Sequence, residues 1–336
     1  MASAVHPTSH TRAGSRAAGL HSLAVVLEEP GRLSLNDLPL VEPTDADVVV
    51  DVEWSGISTG TERLLWTGRM PAFPGMGYPL VPGYESVGRV VRAGPAAGLQ
   101  VGERVFVPGA RCFGDVRGLF GGAAACLVVP GARALPVAEH LGEQAVLMAL
   151  AATAYHSVAG GGKRDPIVAP DLIVGHGVLG RLLARMTVAA GLPPPTVWER
   201  EPGRCGGGEG YPVMHPDDDP RRDYRAIYDV SGDAGIIDTL VMRLAPGGEI
   251  VLAGFYSQPL QFAFAPAFMR EVQIRCAAEW QRPDLLAVKE LVETGRVSLD
   301  GLITHHELAA HAAGAYATAF GDSACLKMVL DWRHHA

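Results

Sequence analysis

A short apolar strand that runs into a glycine turn and then into a helix constrains this chain more than any other feature. The stretch Asp171-Leu-Ile-Val-Gly-His-Gly-Val-Leu-Gly180 places glycines at Gly175, Gly177 and Gly180. In such a turn the first glycine permits the tight reversal, the second lets the backbone approach a pyrophosphate, and the third lets helix and strand pack closely. Val178 and Leu179 open the helix, and a helix N-terminus offers its free N–H groups to phosphate. The continuation agrees: Leu182, Leu183, Met186 and Ala190 recur at helical spacing, Gly191 ends the helix, and Thr196-Val-Trp-Glu199 resumes as a strand. Glu199 lies 24 residues past Gly175, near the distance at which a carboxylate accepts hydrogen bonds from adenosine ribose hydroxyls. Arg200 follows, but the carboxylate before it would repel a 2′-phosphate, so NAD is favoured over NADP.

With 336 residues and 48% hydrophobic content, the chain has material for two domains and their cores. A net charge of −8 with scattered basic residues argues against a nucleic-acid partner and against a polybasic membrane patch. No apolar run reaches transmembrane length. Residues 1–20 are rich in Ser, His, Arg and Ala, lack the apolar centre of a secretion signal, and are expected to be a disordered leader. The absence of acids before Glu28 gives the leader a faint likeness to an organellar transit peptide, but an untargeted extension and a cytoplasmic location are the preferred reading. Cys112, Cys126, Cys205, Cys276 and Cys325 form no CxxC pair and are expected to be reduced thiols. The adjacent pairs His305-His306 and His334-His335 have no third ligand at a standard spacing.

From Leu23 to about Pro136, short runs such as Asp47-Val-Val-Val-Asp-Val-Glu53, separated by Gly/Pro turns, predict a mainly antiparallel β domain. Beyond it helix and strand alternate: a helix over 145–158, strands at Leu172, Thr196, Ala226–Val230 and Glu249–Leu252, and a helix over 234–244. This is the pattern of a doubly wound parallel sheet. Residues 203–220 read as a surface loop in place of a helix, and Cys325–Leu330 as a strand returning to the β domain. The expected division is 1–20 leader, 21–145 with 300–336 as the β domain, and 146–299 as the nucleotide domain.

The ordered motifs Gly56-Ile-Ser-Thr-Gly-Thr-Glu62, Val81-Pro-Gly-Tyr-Glu-Ser-Val-Gly-Arg-Val-Val91, Gly121-Gly-Ala-Ala-Ala-Cys-Leu-Val-Val-Pro130, Thr153-Ala-Tyr155, the glycine turn and Leu244-Ala-Pro-Gly-Gly-Glu-Ile-Val-Leu-Ala-Gly254 resemble the medium-chain dehydrogenase/reductase superfamily over about residues 22–333. The resemblance implies a GroES-like β domain and a Rossmann domain with the cofactor in the cleft between them. Longer strings, Val52–Trp66, Phe73–Leu80, Asp229–Asp233 and Phe320–Trp332, are similar to the bacteriochlorophyllide dehydrogenases of that superfamily. That likeness implies NAD-dependent oxidation of a 3-(1-hydroxyethyl) group on a bacteriochlorophyllide to 3-acetyl, a step of bacteriochlorophyll a biosynthesis. Two alternatives stay open: a zinc-free quinone or enone reductase, for which NADPH is the usual cofactor, and a non-catalytic nucleotide-binding protein.

The chain departs from the zinc-dependent branch of the superfamily. Ser58 stands where that branch carries Cys, Tyr84-Glu85 where it carries His-Glu, and Leu150-Ala-Ala152 where the third ligand would be. The region of the structural zinc lobe offers Cys112 instead of four thiols. Serine, tyrosine and alanine cannot replace thiolate and imidazole donors with comparable affinity, so a metal-free enzyme is expected.

An alcohol's proton must then pass to a protein group. Tyr84 either hydrogen-bonds the developing carbonyl oxygen or fills the space of the lost metal. Ser58, Thr59 and Thr61 offer a hydroxyl relay, or cap their turn for local reasons. Of the carboxylates Glu62 and Glu85, Glu85 is expected to pair with an arginine such as Arg63 or Arg89, a structural role weighed above a catalytic one.

On the cofactor side Thr153, at the start of a helix, either contacts the nicotinamide or caps that helix, while His176 either covers the cofactor or packs the loop. Asp229 and Ser231 end the strand beneath the ribose. A flat apolar pigment needs aromatic walls. Trp66, Met70, Phe73, Met76 and Tyr78, with Arg69 for a propionate, are assigned to substrate; Phe255, Tyr256, Phe262, Phe264, Phe268 and Met269 are assigned to a homodimer interface.

Overall fold

A computed structural model describes residues 19–160, 168–277 and 279–334, so nearly all of the expected leader lies outside the described residues. Six parallel strands form the nucleotide sheet, in the order Val213–Met214, Thr196–Trp198, Leu172–Val174, Tyr224–Asp229, Leu244–Leu252, Gln273–Cys276. Numbered along the chain this is 3-2-1-4-5-6, the doubly wound order whose direction reverses between Leu172–Val174 and Tyr224–Asp229. Gly175 and Ser231 lie side by side at that reversal, a Cβ added at Gly175 coming 3.4 Å from the Ser231 nitrogen.

The β domain holds two sheets. In the larger, the long strand Asp47–Ile57 pairs along one edge with Ser86–Ala93, and along the other with both Cys126–Pro130 and Met328–Asp331. The C-terminus thus returns to the β domain, Met328 lying opposite Ile57. The smaller sheet is built on His21–Glu29 and Arg32–Pro39. Trp54, Val87 and Phe106 from the large sheet share one buried core with Met148, Ile173, Leu182 and Val251, which joins the two halves through apolar contact.

Local pattern misreads several segments. The region 203–220 contains the edge strand Val213–Met214, and it is anchored by Asp219, which accepts the Trp198 indole N–H and the Tyr224 hydroxyl at 2.7 Å each. Two residues are too few to show a strand period, and the anchoring is long-range. The helix expected over 145–158 is Met148–Ala159, preceded by 3-10 turns over Glu139–Leu147. Thr153 is therefore mid-helix, donating to the Ala149 carbonyl at 2.9 Å, and neither starts nor caps the helix. The helix expected over 234–244 is reduced to Ile237–Val241. Among the described residues no helix is long and apolar enough to cross a membrane.

Candidate active site

Two turns of the β domain meet beside the core that the two halves share. One follows strand Asp47–Ile57 and runs through Ser58 into the helix Thr61–Trp66. The other, Gly83-Tyr84-Glu85, precedes strand Ser86–Ala93. Gly83 is required there: its φ is +94°, and a Cβ would lie 2.8 Å from the Ala123 nitrogen. The Tyr84 hydroxyl donates to Ser58 Oγ at 2.6 Å, and Thr61 also hydrogen-bonds Tyr84. Phe120 packs edge-on against the Tyr84 ring, with centroids 5.4 Å apart. Burial, reinforced by the Glu85 charge, pushes the Tyr84 hydroxyl well above the usual phenol value. Near neutral pH it is a hydrogen-bond donor and not a base.

Glu85 takes no part in the Tyr84–Ser58 bond. Its Oε2 accepts from Lys327 Nζ at 2.5 Å, and the same ammonium donates to the Ile57 carbonyl at 3.2 Å. Both side chains are buried, and Glu85 Oε1 finds no partner among the described residues. The expected arginine partner is thus replaced by lysine; Arg89 is held instead by Glu53 and Glu139, and Arg63 is exposed. Gly56 makes the approach possible, since a Cβ there would fall 2.3 Å from Glu85 Oε2. Burial pushes the Glu85 carboxyl up despite the opposing ammonium.

Sequence reasoning missed Lys327 and Tyr316. Tyr316 donates to Glu62 Oε2 at 2.7 Å from the helix Ala312–Gly321. Lys327 carried a signal, as one of the chain's three lysines set inside an apolar run. Tyr316 carried none.

The donors near the turns do not fit zinc. The Tyr84 hydroxyl donates to Ser58 Oγ, Ala152 has no donor atom to offer a metal, and no group of three or more His, Cys, Asp or Glu among the described residues could hold a metal ion.

The glycine turn does fit a dinucleotide. Helix Val178–Ala189 starts from Gly177 with no side-chain cap, leaving its first N–H groups for an anion. Gly180 allows the close packing of helix on turn, because a Cβ there would lie 1.9 Å from the Gly175 carbonyl oxygen. Glu199 sits beside the turn, accepting the N–H groups of His176 at 3.0 Å and of Arg200 and Glu201 at 2.8 Å. Arg200 leans to Asp233, 3.7 Å away. The His176 ring is wholly buried, between the Arg204 carbonyl at 2.7 Å and the Tyr211 hydroxyl at 3.0 Å, and so packs the loop; burial pushes it down to about 4, and it stays neutral. Asp229 is buried too, holding the Ser231 N–H at 2.9 Å and the Tyr256 hydroxyl at 2.7 Å, so it shapes the turn, and Ser231 is exposed.

The proposed substrate segment divides. Trp66, Met70, Met76 and Tyr78 pack into an apolar cluster with Leu27, Leu65, Leu80 and Leu119. The Tyr78 hydroxyl is committed to the Leu65 carbonyl, and Trp66 packs tilted against Tyr316 and Phe320, with ring centroids 6.4 and 6.3 Å away. Arg69 and Phe73 stay exposed. The cluster borders the Tyr84 turn through Leu119 and Phe120.

Residues 44–139 match the alcohol dehydrogenase GroES-like domain. The chain is 56% identical over 319 residues, 94% of its length and 99% of the relative's, to the 2-desacetyl-2-hydroxyethyl bacteriochlorophyllide A dehydrogenase of Cereibacter sphaeroides. It is 56% identical over 315 residues, with the same coverage, to the enzyme of that name from Rhodobacter capsulatus. Among solved structures, acetophenone reductase from Geotrichum candidum in complex with NAD has the same fold, with a TM-score of 0.77 at 18% identity over 94% of this chain and 98% of that one. The likeness to the two bacterial enzymes covers 94% of the chain, and the chain belongs to the 2-desacetyl-2-hydroxyethyl bacteriochlorophyllide A dehydrogenase family of the medium-chain dehydrogenases/reductases.

Proposed function

We propose that this dehydrogenase oxidises the 3-(1-hydroxyethyl) substituent of a bacteriochlorophyllide to 3-acetyl, with NAD as cofactor and without a catalytic metal. The observation that carries this reading is the identity, along nearly the whole chain, to relatives named for that pigment. Bound NAD supplies the two-electron acceptor. Gly175, Gly177 and Gly180, with the N–H groups of Val178 and Leu179, hold its pyrophosphate. Glu199 has lone pairs left for the ribose hydroxyls after its backbone bonds. Thr153, Asp229 and Ser231 complete the cofactor side, Asp229 by shaping the turn that carries Ser231. The Arg200 pairing with Asp233 supports NAD over NADP, since that arginine is drawn away from a 2′-phosphate.

On the substrate side, Tyr84 keeps its proton and turns its O–H from Ser58 Oγ to the reacting oxygen, while Ser58 Oγ, freed as an acceptor, takes the alcohol's proton as it passes its own on through Thr61 towards water. Glu85, tied to Lys327, holds the turn beneath Tyr84. Trp66 and Tyr78 form the packed base of the pigment wall, with Phe73 and Arg69 free to meet the ring and a propionate.

The test is chelator-treated protein with NAD and the 3-(1-hydroxyethyl) pigment, following NADH and the red shift of acetyl conjugation. Turnover is expected, faster with NAD than with NADP; restoration only by zinc would overturn the metal-free mechanism. Cofactor binding without turnover of any alcohol would favour the non-catalytic alternative. Tyr84→Phe is expected to lower kcat by about 10²-fold with the Kd for NAD unchanged, as measured by stopped-flow and titration calorimetry.

A homodimer is part of the same proposal. Phe264 and Met269 are 71% and 75% exposed, and Phe255, Phe262 and Phe268 are exposed with them, close to the open edge strand Gln273–Cys276. Such a patch beside unpaired strand edge is a surface for self-association. Sedimentation should give a dimer for the wild type and a folded monomer for Phe264→Asp/Met269→Asp; a wild-type monomer at micromolar concentration rules the dimer out.

A further inference from the structure

We propose that Glu62, steadied by Tyr316, is a positioning residue that sets the Tyr84–Ser58 hydroxyl pair, and that it does so in its carboxylate form. The inference rests on the dehydrogenase reading above and assigns the groups that aim its hydroxyls.

Ser58 and Glu62 are bonded reciprocally: Glu62 Oε1 accepts the Ser58 N–H at 3.0 Å, and the Glu62 N–H donates to the Ser58 carbonyl at 3.2 Å. No side chain caps the helix Thr61–Trp66 at Gly60, so the Glu62 carboxylate is what closes this turn. Its other oxygen accepts the Tyr316 hydroxyl, whose ring is fixed between Trp66 and Phe320. Ser58 carries the oxygen that Tyr84 bonds, so the backbone held by Glu62 decides where that hydroxyl pair points.

Charge decides whether the tie holds. Both groups facing Glu62 at bonding distance are donors, and only the carboxylate accepts from both at full strength. Protonation puts a hydrogen on the oxygen that faces Tyr316, so that bond must reverse, the acid donating to the tyrosine oxygen, and the Ser58 N–H is left with the weaker acceptor of a neutral acid. The charged and titratable groups around Glu62 are Glu85 and Tyr84 on the adjoining turn, Lys327 at the C-terminal strand, and Tyr316. The Lys327 ammonium is already engaged by Glu85 and the Ile57 carbonyl, so a single cation serves two buried carboxylates. Burial, with a smaller contribution from Glu85, pushes Glu62 up to about 7 against the Ser58 and Tyr316 hydrogen bonds. Both forms are then populated at working pH.

The test is the pH profile of kcat and KM for alcohol oxidation in the wild type, Glu62→Gln and Tyr316→Phe, all close in shape to the native side chains. The wild type should show an acid limb in kcat centred near 7. Glu62→Gln should flatten that limb and lower kcat at pH 8 several-fold with KM for NAD unchanged. Tyr316→Phe should move the limb upward by at least about half a pH unit, because the carboxylate loses a donor. An unmoved limb in both variants overturns the proposal. If the wild type oxidises no alcohol, the dehydrogenase reading has failed separately, and tyrosine ring-carbon NMR decides the positioning role. The Tyr84 signal, assigned by its loss in Tyr84→Phe, should follow a transition near pH 7 in the wild type and not in Glu62→Gln; a Tyr84 signal indifferent to Glu62 sinks it.

Discussion

Lys327→Met is expected to destabilise the protein by about 3–5 kcal/mol, because it strands the Glu85 carboxylate in a buried site with its neutralising partner gone. The loss should grow with pH. Without the ammonium the Glu85 pKa, already raised by burial, rises further above its unfolded value. A carboxyl whose folded pKa exceeds its unfolded one favours folding in its protonated form, so stability is greatest below the ordinary carboxylate range and falls as pH climbs through the folded value. Urea unfolding at pH 5.5 and 8 measures this, and Lys327→Met/Glu85→Gln should recover most of the loss at pH 8. A cost below about 1 kcal/mol at pH 8 would mean that the pair does not tie the C-terminal strand to the Tyr84-Glu85 turn.

Gly180→Val should abolish cofactor binding and loosen the nucleotide domain together. Even its first side-chain carbon would lie 1.9 Å from the Gly175 carbonyl oxygen, and the obstacle is backbone, which cannot rotate aside. The helix must lift off the turn, taking its N–H groups away from the pyrophosphate. The expected outcome is a Kd for NAD weaker by at least about 10²-fold and a stability loss of about 1–3 kcal/mol. Gly177→Ala is the informative contrast: a Cβ there meets nothing within 4 Å, so thermal stability should hold while NAD binding weakens, because the added methyl stands where the second glycine admits phosphate. Calorimetric titration alongside thermal unfolding separates the two effects. Equal loss of both properties in Gly177→Ala would mean that the turn serves folding and not the cofactor.

The sequence by itself determined what depends on neighbours along the chain. The strand at Leu172, the glycine turn, the helix after Val178 and the strand ending before Glu199 were legible because each is a local matter of period, backbone freedom and spacing. Ser58 and Tyr84 were legible as candidates because the resemblance to the superfamily puts them where its zinc branch carries ligands. What only the tertiary structure decided was which of these groups meet. Tyr84 and Ser58 are 26 residues apart, Glu85 and Lys327 are 242, and Glu62 and Tyr316 are 254. Their contacts follow from the registers that set Ser55 opposite Ser86 and Met328 opposite Ile57, and from the packing of helix Ala312–Gly321 against Trp66. Arg89 had the right charge for Glu85 and lay close in sequence, yet strand alternation turned it to Glu53 and Glu139 on the surface. Residue type tells which groups can pair; sheet register and helix docking choose the partner, because only they bring distant segments within hydrogen-bond reach.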